Sequence, residues 1–104
     1  MDYSHLSSKS QRKQRARDMV LVNSFGNVLR QLRSTAGWTQ EQLAFEAGID
    51  RTFVGLLESG RRQPSLSVVF ALATALGTSP EHLVRLTREV YASSVDPSDS
   101  SDTR

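Results

Sequence analysis

The chain has 104 residues, of which 38% are hydrophobic and 23% charged, with a net charge of +2 and no cysteine. One domain fits in this length, burying a little over ~60% of the surface its unfolded chain exposes. No apolar run approaches the ~18 residues of a membrane span, no apolar stretch has signal-peptide length, and the lack of cysteine excludes disulfides, thiolate nucleophiles and zinc-thiolate sites. These features lead to the expectation of a soluble cytoplasmic protein that uses no membrane, metal or cofactor. The charge is unevenly placed: Lys9, Arg12, Lys13, Arg15 and Arg17 outweigh Asp2 and Asp18 in residues 1–22, whereas Asp96, Asp99 and Asp102 leave the last twelve residues acidic.

In chain order, residues 1–20 are rich in Ser, Gln and Arg and poor in large apolar groups, so the expectation is a basic, mobile arm. Helical spacing begins with Phe25, Val28, Leu29 and Leu32, extendable upstream to Leu21, and Gly37 ends this first helix. Its start stays open between Asp18, Asn23 and Ser24, all residues that can cap. Thr39 caps a second helix in a capping box with Gln42, and Gly48 stops it after two turns. Asp50 caps a third helix from Arg51 to Ser59, ended by Gly60. After the loop Arg61-Arg62-Gln63-Pro64, Ser65 caps a fourth helix carrying Leu66, Val69, Leu72, Ala73 and Leu76 and stopped by Gly77. Ser79 and Pro80 open a fifth through Leu83, Leu86 and Val90. Residues 93–104 read as a disordered acidic tail. The fold class is therefore all-α with five short helices, the folded domain spanning 21–92.

The second and third helices meet the constraints of a steeply crossed pair joined by the turn Gly48-Ile49-Asp50. Ala44 leaves room for the neighbouring backbone, and Val54 and Leu57 point back beside Leu43 and Ala47. The stretches Thr39-Gln-Glu-Gln-Leu-Ala, Ala47-Gly-Ile-Asp-Arg-Thr-Phe-Val, Leu57-Glu-Ser-Gly-Arg-Arg-Gln-Pro-Ser-Leu and Leu72-Ala-Thr-Ala-Leu-Gly resemble the XRE/Cro-type helix-turn-helix regulators. The resemblance covers about Ser24 to Leu86 and is nearest to short single-domain regulators, including restriction-modification controller proteins. It implies a lambda-repressor-like domain acting as a sequence-specific transcriptional regulator of double-stranded DNA, with a palindromic operator.

By position, the resemblance implies base contacts from Arg51, Thr52, Gly55 and Leu56. An Arg in the first turn can make two hydrogen bonds to guanine, Thr52 offers a hydroxyl and a methyl, and Leu56 can meet a thymine methyl. Gly55 departs from the polar side chain usual there and removes a reader. The alternative for Arg51 is a solvated residue paired with Asp50 or Glu46. Phosphate contacts are implied for Thr39, Gln40, Phe53, Arg61 and Arg62, although Phe53 replaces a tyrosine and cannot donate a hydroxyl hydrogen bond. Arg33 and Glu58 match a structural ion pair. Phe70, Val84 and Tyr91 lie off the core stripes and are assigned to a homodimer interface. Lys9 to Arg17 could follow the DNA backbone or enter the minor groove.

Catalysis finds little support: His5 and His82 stand apart, no metal-ligand spacing or phosphate loop occurs, and Glu41, Glu46 and Glu58 are spread over two helices. The rival reading is an antitoxin or adaptor that uses the same fold to bind a protein through the arm or the acidic tail.

Overall fold

A computed structural model describes residues 8–94 as five helices: α1 Ser8–Thr35, α2 Gln40–Ala47, α3 Arg51–Glu58, α4 Leu66–Ala75 and α5 Pro80–Ser94. No strand occurs among the described residues. The boundaries follow local hydrogen bonding. Thr39 accepts from the amide of Gln42 at 3.1 Å, while its own amide donates to the Gln42 side chain at 2.7 Å. Asp50, Ser65 and Ser79 accept in the same manner from Thr52, Val68 and His82. Each removes an amide that the first turn of a helix leaves unpaired.

α1 departs from the expected arm. Residues 8–17 continue the helix nearly three turns upstream of the Asp18–Ser24 region, and the basic segment from Ser8 on is helical rather than irregular. Lys, Gln, Arg and Ala are good helix formers, and extending a helix already nucleated by packing costs far less than starting one. Residues 9–17 are exposed, so local propensity alone carries this stretch. The longest dimension of the described residues, 43 Å, is close to the ~42 Å of a 28-residue helix; α1 matches that length. Residues 1–7 and the acidic tail from 95 on lie outside the described residues.

The core joins Phe25, Val28 and Leu29 of α1, Leu43 and Ala44 of α2, Val54 and Leu57 of α3, Val69, Leu72 and Ala73 of α4, and Leu83 of α5. α1 packs on α3 and α5, and α2 packs on α3 and α4. One expected core residue is corrected. Leu66 stands 72% exposed because it occupies the first position of α4, beyond the edge of the stripe, while Val68 turns inward against the core.

Two mid-helix glycines have opposite surroundings. A Cβ on Gly26 would strike the carbonyl oxygens of Leu57 and Glu58, so at this point α1 lies directly on the backbone that ends α3. A Cβ on Gly55 would meet only the side-chain oxygen of Gln40, at an ordinary 3.6 Å. Substituting Gly26 by Ala should therefore cost about 2 kcal/mol through overpacking, whereas Gly55→Ala should stabilise by about 0.5–1 kcal/mol. Urea unfolding of the two variants, followed by circular dichroism, checks whether the signs differ.

Candidate nucleic-acid interface

The α2–α3 connection is three residues long, and its geometry is set by backbone conformation. Gly48 takes φ +70°, which lets its amide and that of Ile49 return to the carbonyls of Phe45 and Ala44. Ile49 packs inward, and Asp50 immediately caps α3. The chain thus reverses while the first residues of α3 stay uncovered: Arg51 and Thr52 are both exposed. Arg51 forms no ion pair with Asp50, Glu46 or any other described residue.

At about 100° per residue, Val54, Leu57 and Glu58 form the inner side of α3, and Thr52, Gly55, Leu56 and Ser59 share the outer side; Arg51 lies within about 20° of Glu58 in helical angle and is exposed because it stands at the open amino-terminal end, about two turns before Glu58. Ser59 was missed in the sequence as a terminal residue, although its spacing of i+4 from Gly55 places it on this face. Its hydroxyl donates to the Leu56 carbonyl at 3.2 Å and retains its lone pairs. Phe53 is half-buried against the core, with its amide donated to the Asp50 carbonyl and no polar atom on its ring.

Behind this face lies a charged cluster. Glu58 is buried, with its carboxylate held by Arg33 Nε at 2.6 Å and Arg33 Nη2 at 3.0 Å. Arg33 also donates to the carbonyl of Trp38 at 2.7 Å, and Gln40 donates its side-chain amide to Glu58 at 3.0 Å. Arg30 approaches the same carboxylate at 3.7 Å. Gln40 is therefore engaged inside the protein, and its remaining N–H is what it has for another acceptor. Burial pushes the Glu58 pKa up, but the hydrogen bonds from Arg33 and Gln40 outweigh it and hold the group below the ordinary carboxylate value. The same bond raises the Arg33 pKa.

Beyond α3, Gly60 turns at φ +74° with its Cα against the side chain of Asn23, and a Cβ there would collide with it. The next residues, Arg61 and Arg62, are exposed and without ion pairs. Thr39, at the start of α2, is exposed too. The structure thus brings Arg51, Thr52, Thr39 and the Arg61–Arg62 pair onto exposed ends of α2 and α3. The apolar set divides: Phe70 and Val84, each 53% exposed, line a shallow groove with Leu66, Pro80 and the stems of Arg85 and Arg88, but Tyr91 does not line it. Phe45, 83% exposed, adjoins Trp38, Glu41 and Glu46 on the outer side of α2, a surface with no counterpart in the sequence reading. Among the described residues no three His, Cys, Asp or Glu side chains converge on a metal position, and no helix is long and apolar enough to cross a membrane.

A helix-turn-helix domain family matches residues 24–86. The control protein C.BamHI of Bacillus amyloliquefaciens is 39% identical over 64 residues, spanning 61% of this chain and 79% of the relative. An uncharacterized HTH-type transcriptional regulator of Sinorhizobium fredii, y4dJ, is 38% identical over 62% of this chain and 83% of its own length. Among solved structures, the restriction-modification controller protein C.AhdI of Aeromonas hydrophila superposes with a TM-score of 0.58 at 47% identity, covering 60% of this chain and 94% of the controller.

The Glu58 cluster sets a pH dependence. Because the folded pKa lies below the unfolded one of ~4.3, the carboxylate contributes stability that is fully present above that value and is lost as pH falls through the folded pKa. Glu58→Gln should cost about 3 kcal/mol at pH 7 by stranding Arg33, and the gap to the parent protein should close below about pH 4. Denaturation midpoints measured from pH 7 to pH 3 test this; a constant gap would show that the charge on Glu58 contributes nothing.

Proposed function

The chain belongs to the helix-turn-helix domain family, and we propose that it is a sequence-specific DNA-binding transcriptional regulator of the controller type, acting in the cytoplasm without catalysis. The observation that carries this reading is the uncovered amino-terminal end of α3, with the side chains of Arg51 and Thr52 exposed and Arg51 in no ion pair, flanked by the unpaired cations Arg61 and Arg62. α3 enters the major groove. Arg51 donates two hydrogen bonds to guanine O6 and N7, while Thr52 and Leu56 read the neighbouring bases by hydroxyl and methyl contact. Gly55 allows the helix backbone close to the bases. Ser59 adds a hydroxyl at the far end of the same face.

Phosphate contacts come from Thr39, from the free N–H of Gln40 and from Arg61 and Arg62, which fix the register without reading sequence. The two relatives named as control or controller proteins support carrying that role to this chain. The groove of Leu66, Phe70 and Val84 supplies a self-complementary apolar patch for a homodimer, with Tyr91 outside it. Two-fold symmetry then sets two recognition helices one duplex turn apart, about 34 Å, over an inverted repeat.

Selection of bound duplexes from a random pool should enrich an inverted repeat; recovery of no common sequence refutes the reading. On the selected duplex, Arg51→Ala should lose about 1–3 kcal/mol and relax one base position. Replacing Arg61 and Arg62 by Gln should weaken all sequences alike and reduce the slope of log K against log salt by about 2 per protomer. In sedimentation equilibrium the parent chain should be dimeric and a Phe70→Glu, Val84→Glu variant monomeric; a monomeric parent, with and without duplex, removes the symmetric arrangement.

A further inference from the structure

The first part of α1 lies upstream of the shared domain, which begins at residue 24. It carries five cations, Lys9, Arg12, Lys13, Arg15 and Arg17, all exposed and none in an ion pair with a described residue. As an irregular arm they would have no common direction. As a helix they do: at about 100° per residue the five fall within about 200° of the circumference, while Gln11, Gln14 and Asp18 occupy the other side.

The direction of this cationic side is set by the folded part of the same helix. Arg12 and Arg15 precede Arg30 and Arg33 by about five whole turns, so they share the same side of α1. Arg30 and Arg33 reach Glu58 of α3, Gly26 lies on the α3 backbone, and Asn23 abuts Gly60. Arg12 and Arg15 therefore continue the line on which α1 meets the end of α3, and Lys9, Lys13 and Arg17 fan out along one flank of it. From Asn23 it extends past the turn that holds Arg61 and Arg62, reaching about 12 Å at Arg15 and about 21 Å at Lys9.

We propose that residues 9–17 are a helical phosphate track that extends the Arg61–Arg62 contact along the backbone of the same duplex, outside the bases read by α3. The inference rests on the DNA-binding reading above. Charge complementarity and continuity with that interface identify the occupant. A further ~21 Å corresponds to about six base pairs at 3.4 Å each. Helical geometry also decides between the two roles open to the basic segment. A helix about 10–12 Å across does not enter a minor groove about 6 Å wide, so its side chains reach across phosphates instead.

The test uses the full chain and a 40-base-pair duplex of mixed sequence, since phosphate contacts need no operator. Replacing Lys9, Arg12, Lys13 and Arg15 by Gln alters only exposed side chains, and circular dichroism checks that the fold is kept. The slope of log K against log salt should fall by about 3.6 per protomer, at roughly 0.9 for each phosphate no longer neutralised. An unchanged slope overturns the proposal. Ala16→Pro, which keeps every charge and interrupts the helix, should lose at least half of that slope; a parent-like slope would mean a flexible arm and would overturn the helical track. Arg51→Ala separates the two readings, because it should lose operator selectivity while keeping the parent slope on mixed-sequence duplex. Failure of the parent chain to bind any duplex would sink the DNA-binding reading itself, and this proposal with it.

Discussion

The buried carboxylate of Glu58 is the constraint on which the arrangement of the first three helices depends. It belongs to α3, yet Arg33 of α1 and Gln40 of α2 donate to it, and Arg33 in turn holds the carbonyl of Trp38 between α1 and α2. An unpaired buried carboxylate would cost several kcal/mol, so these partners are obligatory once Glu58 is inside. The same bonds orient the recognition unit. With Glu58 fixed on the inner side of α3, helical geometry sends Thr52, Gly55 and Leu56 outward, while Arg51, two turns earlier, is left exposed at the amino-terminal end. A single electrostatic requirement therefore fixes both how α1, α2 and α3 pack and which residues remain for a duplex.

Backbone proximity supplies the complementary constraint. Gly26 allows α1 to touch the carbonyls of Leu57 and Glu58, and that approach brings Arg30 and Arg33 within reach of the carboxylate. Asn23 against Gly60 fixes the start of the following loop, so Arg61 and Arg62 leave the domain in a defined place relative to α1. Because α1 continues as a helix to Ser8, this local contact also aims the basic segment. Charges that are only an excess in the sequence become a directed row.

The allocation of apolar surface separates stability from association. Leu29, Leu43, Val54, Leu57, Leu72 and Leu83 are fully enclosed, which gives the small domain its cohesion. Leu66, Phe70 and Val84 are excess to that core and gather along one groove between α4 and α5, while Phe45 lies apart from them on α2, beside Trp38. Grouping rather than exposure distinguishes them, since isolated surface apolar residues are ordinary and contiguous ones are costly to leave in water. Tyr91, which shares their sequence pattern, is only half-exposed and apart from the groove.

The sequence alone determined whatever depends on neighbours a few residues away. Caps at Thr39, Asp50, Ser65 and Ser79 and the ends at Gly37, Gly48, Gly60 and Gly77 bond across two to five positions, so helix boundaries and the exposed start of α3 were legible from residue order. The start of α1 was not, because propagation from a packed segment leaves no local stop signal between Asp18 and Ser24. Tertiary structure alone decided that Leu66 stays outside, that Phe53 turns inward, that Gln40 is held by Glu58 and that Gly26 is a contact point. Each of these depends on which distant backbone or carboxylate lies alongside, and that is a property of packing in three dimensions rather than of spacing along the chain.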